Sequence, residues 1–269
     1  MKKFIKRLLL LLVILYVGAC VYMYFQQESF IFHPEKLNAS TVLKFDQDFE
    51  EINIKSNGET LNGALFKVKD SKGLVFFCHG NSGNILKQAE AAKFYTDLGF
   101  DFFSFDYRGY GKSTGEVEGE EQFFSDVQAF YDELKKTYNE KDINVIGYSL
   151  GTCSAAMLAA KNNPKNLILI APYYSLSDMT IRRYKVIPPF LLKYKFDTYK
   201  YVQQAKMPIL LVHGDNDPVI PFDCSLQLKE DLKRTDIFVP IKGQDHNNFE
   251  QNPTYIESAT SFLNSDVKH

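Results

Sequence analysis

Ile143-Asn144-Val145-Ile146-Gly147-Tyr148-Ser149-Leu150-Gly151 passes from a short apolar run into a G-x-S-x-G turn, and Leu150 to Lys161 continues as a helical pattern. The two glycines leave room for a strained strand-to-helix turn that would push the Ser149 hydroxyl outward, and a helix N-terminus just behind it favours developing negative charge. The pentapeptide alone is moderate evidence. Its strand–turn–helix setting makes Ser149 the candidate nucleophile.

Working outward, the same alternation recurs on both sides. Upstream, Glu51 to Lys55 and Leu61 to Val68 read as a strand pair around the Asn57-Gly58 turn. Gly73 to Cys78 is an apolar strand run, Ile85 to Leu98 a helix closed by Gly99, Phe100 to Tyr107 a strand and Glu120 to Tyr138 an amphipathic helix. Downstream, Asn166 to Ala171, Pro208 to Val212 and Asp236 to Ile241 read as strands, and Pro253 to Leu263 as the closing helix. Strands alternating with helices at this pitch predict a mainly parallel, doubly wound sheet. Residues 172 to 207 break the rhythm with Pro188-Pro189, several tyrosines and Arg182, Arg183 and Lys185. An insertion beyond a strand's carboxyl end lies where ligands bind in such sheets, so it is expected to be a small cap.

Composition bounds the rest. The chain has 269 residues, 45% apolar and 24% charged, as expected for one globular α/β domain with a short appendage. Net charge is −2 and no basic block rises beyond the N-terminus, which argues against nucleic-acid binding. Cys20, Cys78, Cys153 and Cys224 have no metal-ligand spacing, and Cys78 and Cys153 read as small buried hydrophobes. The glycine turns match neither a P-loop nor a dinucleotide fingerprint, so no cofactor and no metal is expected.

The first residues are of another kind. Met1 to Arg7 carries four positive charges, and Leu8 to Phe25 then runs without a charge. Eighteen helical residues span about 27 Å, close to a hydrocarbon core of about 30 Å, and Tyr22 and Tyr24 fall at its far end. A single-pass anchor over 8–25 is expected, followed by a linker over 26–48 and the main domain over 49–269. The positive flank would stay cytoplasmic and place that domain on the outer side. A cleaved signal peptide, or a lipoprotein modified at Cys20 within Val17-Gly18-Ala19-Cys20, are the alternatives.

A serine hydroxyl needs a neighbouring base to take its proton. Behind a nucleophile in this kind of turn the chain order is serine, acid, histidine. Of the five histidines, His33 and His79 precede Ser149, His213 ends a strand just before the acid candidates, and His269 is terminal. His246, in the polar loop Gly243 to Asn248, is the candidate base. Asp217, ahead of Pro218 in His213-Gly214-Asp215-Asn216-Asp217-Pro218, is the candidate acid, with Asp215 expected to fix its own turn. The amides of Leu150 and of Asn81, in His79-Gly80-Asn81-Ser82-Gly83-Asn84, are the candidate oxyanion donors, with His79 structural.

With these pieces in place, residues from about 50 to 262 resemble the alpha/beta-hydrolase superfamily. Five strings carry the resemblance: HGNSGN (79–84), DYRGYGKSTG (106–115), GYSLG (147–151), HGDNDPVIP (213–221) and the His246 loop. Together with QESFIFHPEKL (27–37), they are similar to the small-capped, often membrane-anchored branch grouped with serine aminopeptidase-like hydrolases. The resemblance implies an eight-stranded sheet with helices on both faces. It also implies that DYRGYGKSTG shapes the wall of the site and that Arg108 is a pairing residue.

Ester or thioester hydrolysis through an acyl-enzyme is the leading expectation, with a small-molecule or lipid-like acyl substrate. The aromatics Tyr173, Tyr174, Tyr184 and Phe190 of the cap suit such a substrate. An aminopeptidase-like amide hydrolase and a non-catalytic binding module are the competing readings; fold analogy alone does not choose among them.

Overall fold

The structure, a computed structural model, describes residues 1–185 and 187–265. Eight strands form one sheet: β1 (Glu50–Ser56), β2 (Glu59–Phe66), β3 (Leu74–Cys78), β4 (Asp101–Phe105), β5 (Ile143–Tyr148), β6 (Asn166–Ile170), β7 (Ile209–Gly214) and β8 (Ile237–Ile241). Their spatial order is β1-β2-β4-β3-β5-β6-β7-β8. β2 runs antiparallel to β1 and to β4, and every other neighbouring pair is parallel.

The apolar runs explain why the sheet is covered twice. Parallel strands alternate side chains between faces, so a strand buried on both faces must be apolar throughout. Leu74, Phe76 and Cys78 of β3 join one core with Val145, Leu167 and Leu211. Val75 and Phe77 join the opposite core with Ile146, Ile168 and Leu210. Helices α3 (Glu120–Leu134) and α4 (Gly151–Lys161) supply buried side chains to the first core. Helices α2 (Ala89–Asp97) and α8 (Pro253–Asn264) supply the second. Cys78 and Cys153 are buried among these hydrophobes, as expected.

Two elements go beyond the sequence expectation. Helix α1 runs from Lys2 to Ile31, so the first residues of the expected linker are helical. Beyond it, His33-Pro34 pairs in parallel with Ser82-Gly83, stitching the entry segment onto the Asn81 loop. The second is α7 (Asp223–Lys229), a helix between β7 and β8 that the sequence pattern did not reveal. The cap is present after β6, with α5 (Leu176–Arg183), a 3-10 turn over Pro189–Leu191 and α6 (Thr198–Val202). Thirty helical residues give α1 a length of about 45 Å, and its apolar stretch is unburied. It is one helix long and apolar enough to cross a membrane.

Candidate active site

Four loops at the carboxyl ends of β3, β5, β7 and β8 carry the residues singled out in the sequence, where ligands bind in such sheets. Ser149 sits between β5 and α4 with φ of 52°, a left-handed conformation that is costly for a side chain bearing a Cβ. Three hydrogen bonds hold it there: its N–H donates to Ile170 O at 3.0 Å, and its carbonyl accepts from the Thr152 amide at 3.0 Å and hydroxyl at 2.6 Å. Gly151 allows the close packing behind it. A Cβ at that position would stand 2.1 Å from the Cys78 carbonyl oxygen.

The Ser149 hydroxyl lies 3.0 Å from His246 Nε2, and His246 Nδ1 lies 2.6 Å from Asp217 Oδ2. His246 reaches this position because β7 and its loop press together: a Cβ on Gly214 would lie 2.2 Å from the Gln244 carbonyl. The Tyr148 hydroxyl donates to the His246 carbonyl at 2.9 Å and so pins the loop. Asp215 accepts from the Gly243 amide at 2.6 Å. It therefore ties its turn to the histidine loop rather than fixing its own turn, which corrects the sequence expectation.

Asp217 is surrounded by donors. Its Oδ1 accepts from the amides of Val219 and Ile220 at 2.7 and 2.9 Å, and its Oδ2 accepts from both His246 and His213. Burial works to raise its pKa, but the hydrogen bonds from His213, His246 and Ile220 hold it well below the ordinary carboxylate range. An ionised carboxylate only accepts, so His213 presents an N–H on Nε2, 3.1 Å away, while its Nδ1 lies 2.5 Å from Ser225 Oγ. His213 is the residue that sequence reasoning missed. Its four-residue spacing from Asp217 is the available signal, and its place ahead of the acid in the chain order hides it.

On the other side, the Asn81 loop abuts the serine; a Cβ on Gly80 would come within 3.6 Å of Ser149 Cβ. Asn81 is held by its carbonyl, which accepts from the His33 amide at 2.8 Å and the Tyr110 hydroxyl at 2.6 Å. Its side-chain amide donates to the Ile31 carbonyl at 3.0 Å, at the end of α1. His79 is fully buried, its Nδ1 2.8 Å from the Gly80 carbonyl, and burial pushes its pKa down to about 4. It braces the loop, as expected. Tyr107 and Tyr110 do the same from behind: the Tyr107 hydroxyl donates to the His79 carbonyl at 2.8 Å. DYRGYGKSTG thus buttresses the loop instead of walling the cavity. Arg108 pairs with Asp126 at 2.6 Å, away from the site.

Above Ser149 opens a cavity of about 810 Å³ into which Asn81 and Leu150 also face. Of the four cap aromatics, Tyr173 and Tyr184 line it. Tyr174 stacks instead on Tyr199, and Phe190 points to solvent, 83% exposed. One wall was not foreseen: Met23, Gln27, Phe30 and Ile31 of α1 line the cavity too. His269 lies outside the described residues. Among the described residues, no cluster of histidine, cysteine or carboxylate side chains could hold a metal.

Comparison with known proteins defines the class. Residues 69–197 match the family described as serine aminopeptidase, S33. Human alpha/beta hydrolase domain-containing protein 17B is 30% identical over 207 residues, covering 74% of this chain and 68% of that protein. Uncharacterized protein R595 of Acanthamoeba polyphaga mimivirus is 28% identical, with 76% of this chain and 77% of that protein covered. The chain belongs to the alpha/beta-hydrolase superfamily.

Its structural neighbours include esterases. The Pyrococcus furiosus esterase Pf2001 superposes with a TM-score of 0.68 at 19% identity, over 86% of this chain and 98% of that one. Est1E of Butyrivibrio proteoclasticus, with ferulic acid bound, gives 0.61 at 22% identity, over 79% and 96%. At these identities the likeness concerns the fold.

Proposed function

We propose that the protein is a membrane-tethered serine hydrolase that cleaves carboxylic-ester or thioester bonds. One observation carries this reading: the unbroken hydrogen-bonded chain Ser149–His246–Asp217 at the floor of the cavity. Ser149 Oγ attacks the acyl carbonyl as His246 Nε2 takes its proton, and Asp217 orients the imidazole and stabilises the imidazolium. The Asn81 and Leu150 amides receive the oxyanion; one such donor is worth about 10²–10³ in rate. His246 then protonates the leaving alcohol or thiol, whose bond to the acyl carbon breaks. Water, deprotonated by His246, attacks the acyl-enzyme and releases the carboxylic acid and Ser149.

The cavity wall favours an acyl ester over an aminoacyl amide. An aminopeptidase needs a carboxylate to hold the substrate's α-ammonium group. Among the described lining residues there is none, and the charged one is Arg183. The apolar surface of Leu176, Met179, Leu192 and Ile220 suits a hydrocarbon chain. For the tether, α1 supplies the length and the exposed apolar surface, and the basic Met1 to Arg7 segment orients the domain to the outer side.

A fluorophosphonate probe is expected to label the wild type and not Ser149→Ala. Asp217→Asn is expected to lower kcat/KM for a short acyl ester by about 10³–10⁴. A folded wild type that resists the probe and turns over neither acyl esters nor aminoacyl amides would overturn the proposal; turnover of the amides alone would select the aminopeptidase.

A further inference from the structure

Helix α1 does not simply leave the domain. Its last turns are built into both the cap and the cavity. Gln27, the buried residue of a largely exposed helix, donates from Nε2 to the Leu191 carbonyl at 2.8 Å and accepts the Lys193 amide at 2.9 Å. Glu28 takes the Lys193 ammonium at 3.1 Å and the Tyr194 hydroxyl at 2.9 Å. Lys193 Nζ also stands 4.9 Å from the centre of the Tyr24 ring. Cap residues 191–194 are therefore fixed against residues 24–28, where the apolar run ends at Phe25.

The spacing along α1 sets the depth of the cavity mouth. Met23 lies two residues inside that boundary and Ile31 six beyond it, or about 3 Å within and 9 Å outside at 1.5 Å per residue. A headgroup layer is about 5–8 Å thick on each side of the hydrocarbon. The α1 wall of the cavity thus spans the layer in which the ester carbonyls of membrane-inserted acyl chains reside. The surrounding rim is apolar where a soluble domain would be polar: Phe30 and Tyr184 line the mouth while half exposed, and Phe190 stands beside the Leu191 anchor point, 83% exposed. Arg183 and Lys185 flank this rim with positive charge suited to phosphate headgroups.

We infer that the cap tip rests on the bilayer crossed by α1, and that the cavity mouth between α1 and the cap admits the acyl chain of a membrane-resident ester or thioester sideways from the lipid. The inference rests on Ser149 as nucleophile and α1 as anchor; it adds the substrate's location and its route. A chain entering beside Met23 and Phe30 reaches Ser149 without passing through water, so its hydrocarbon is never exposed to solvent. Such a mouth selects amphiphiles over soluble esters of the same leaving group.

Two experiments on the full chain in phosphatidylcholine vesicles test this. The sequence contains no tryptophan, so Phe190→Trp introduces a single indole fluorophore, with Lys141→Trp, at the opposite end of the sheet, as control. Brominated acyl chains are expected to quench the indole of the Phe190→Trp variant and spare that of the Lys141→Trp variant; equal or absent quenching overturns the inference whatever the catalytic result. In the second, Phe190→Asp is assayed on 4-methylumbelliferyl butyrate in solution and 4-methylumbelliferyl palmitate in the vesicles. Turnover of the soluble ester should be unchanged and that of the embedded ester should fall at least tenfold. Wild-type turnover of the embedded ester by Phe190→Asp, or a parallel fall in both, would also overturn it. If the wild type hydrolyses neither ester and resists the fluorophosphonate, the hydrolase reading itself fails, even when the indole at the cap tip is quenched.

Discussion

His79 and Asp106 are both fully buried around the Asn81 loop, and they titrate in opposite senses. Burial lowers the His79 pKa from 6.5 to about 4, so the unfolded chain takes up the proton first. Its contribution to stability is complete above 6.5 and is lost as pH falls toward 4, about 3 kcal/mol in all. Burial raises the Asp106 pKa from 3.8 to about 7, against hydrogen bonds from the Ile85 and Lys112 amides. Here the folded state keeps its proton longer, so stability is greatest below 3.8 and declines as pH rises toward 7. The two slopes oppose each other between about pH 4 and 6.5. Asp106→Asn removes one of them: its melting temperature should drop more steeply than the wild type's between pH 7 and 4.5, by several degrees. Parallel melting curves for the two proteins would show that folded Asp106 does not keep its proton to higher pH than the unfolded chain. The role of His79 was legible from its place before Gly80-Asn81. The counterweight at Asp106 was not, because burial is a property of the packed loop and not of the DYRGYG string.

Among the elements, the junction of α1 with the cap has the largest consequence for its size. Leu191 and Lys193 are held to α1 by Gln27, while the amides of Lys195 and Phe196 are held to α3 by Glu120, at 2.7 and 3.1 Å. Cap residues 191–196 are therefore clasped from two sides, by α1 and by α3. Gln27→Ala should accelerate hydrogen exchange at the Lys193 amide about fivefold, as a bond worth about 1 kcal/mol would require. Exchange at Lys195 and Phe196 should stay as it was; uniform acceleration would mean that the cap moves as one piece. The sequence marked 172–207 as an insertion because its prolines and tyrosines interrupt the strand–helix alternation. It could not tell that Tyr173 and Tyr184 face the cavity while Phe190 faces out. Neighbouring loop residues have no fixed period from which to read a direction.

At the scale of the molecule, one buried ion pair ties separate layers. Asp126 of α3 accepts from Arg108 Nε at 2.6 Å and Nη2 at 3.0 Å, and from Ser56 Oγ at 2.6 Å at the end of β1. Arg108 Nη2 returns a bond to the Ser56 carbonyl at 3.1 Å. Both charged side chains are nearly inaccessible, at 7% and 6% exposure. Asp126→Ala leaves the guanidinium buried and unpaired, and should cost about 3–5 kcal/mol. Urea denaturation would show a lower midpoint with an unchanged slope, while fluorophosphonate labelling below the transition stays as in the wild type. A smaller loss would mean that water reaches Arg108.

The sheet was legible along the chain, because strands buried on both faces must be apolar and helices between them must be amphipathic, and both periods survive in one dimension. Ser149, Asp217 and His246 were legible as candidates too, because the order of loops on this sheet leaves few positions for each chemical type. Packing in three dimensions was needed to show that His213 shares the Asp217 carboxylate, that DYRGYG stands behind the Asn81 loop, and that α1 forms a wall of the cavity. The last two join residues tens to more than a hundred positions apart, and spacing along the chain carries no record of them. The first is hinted at by a spacing of four, but only the packed loops bring His213 and His246 onto one carboxylate oxygen.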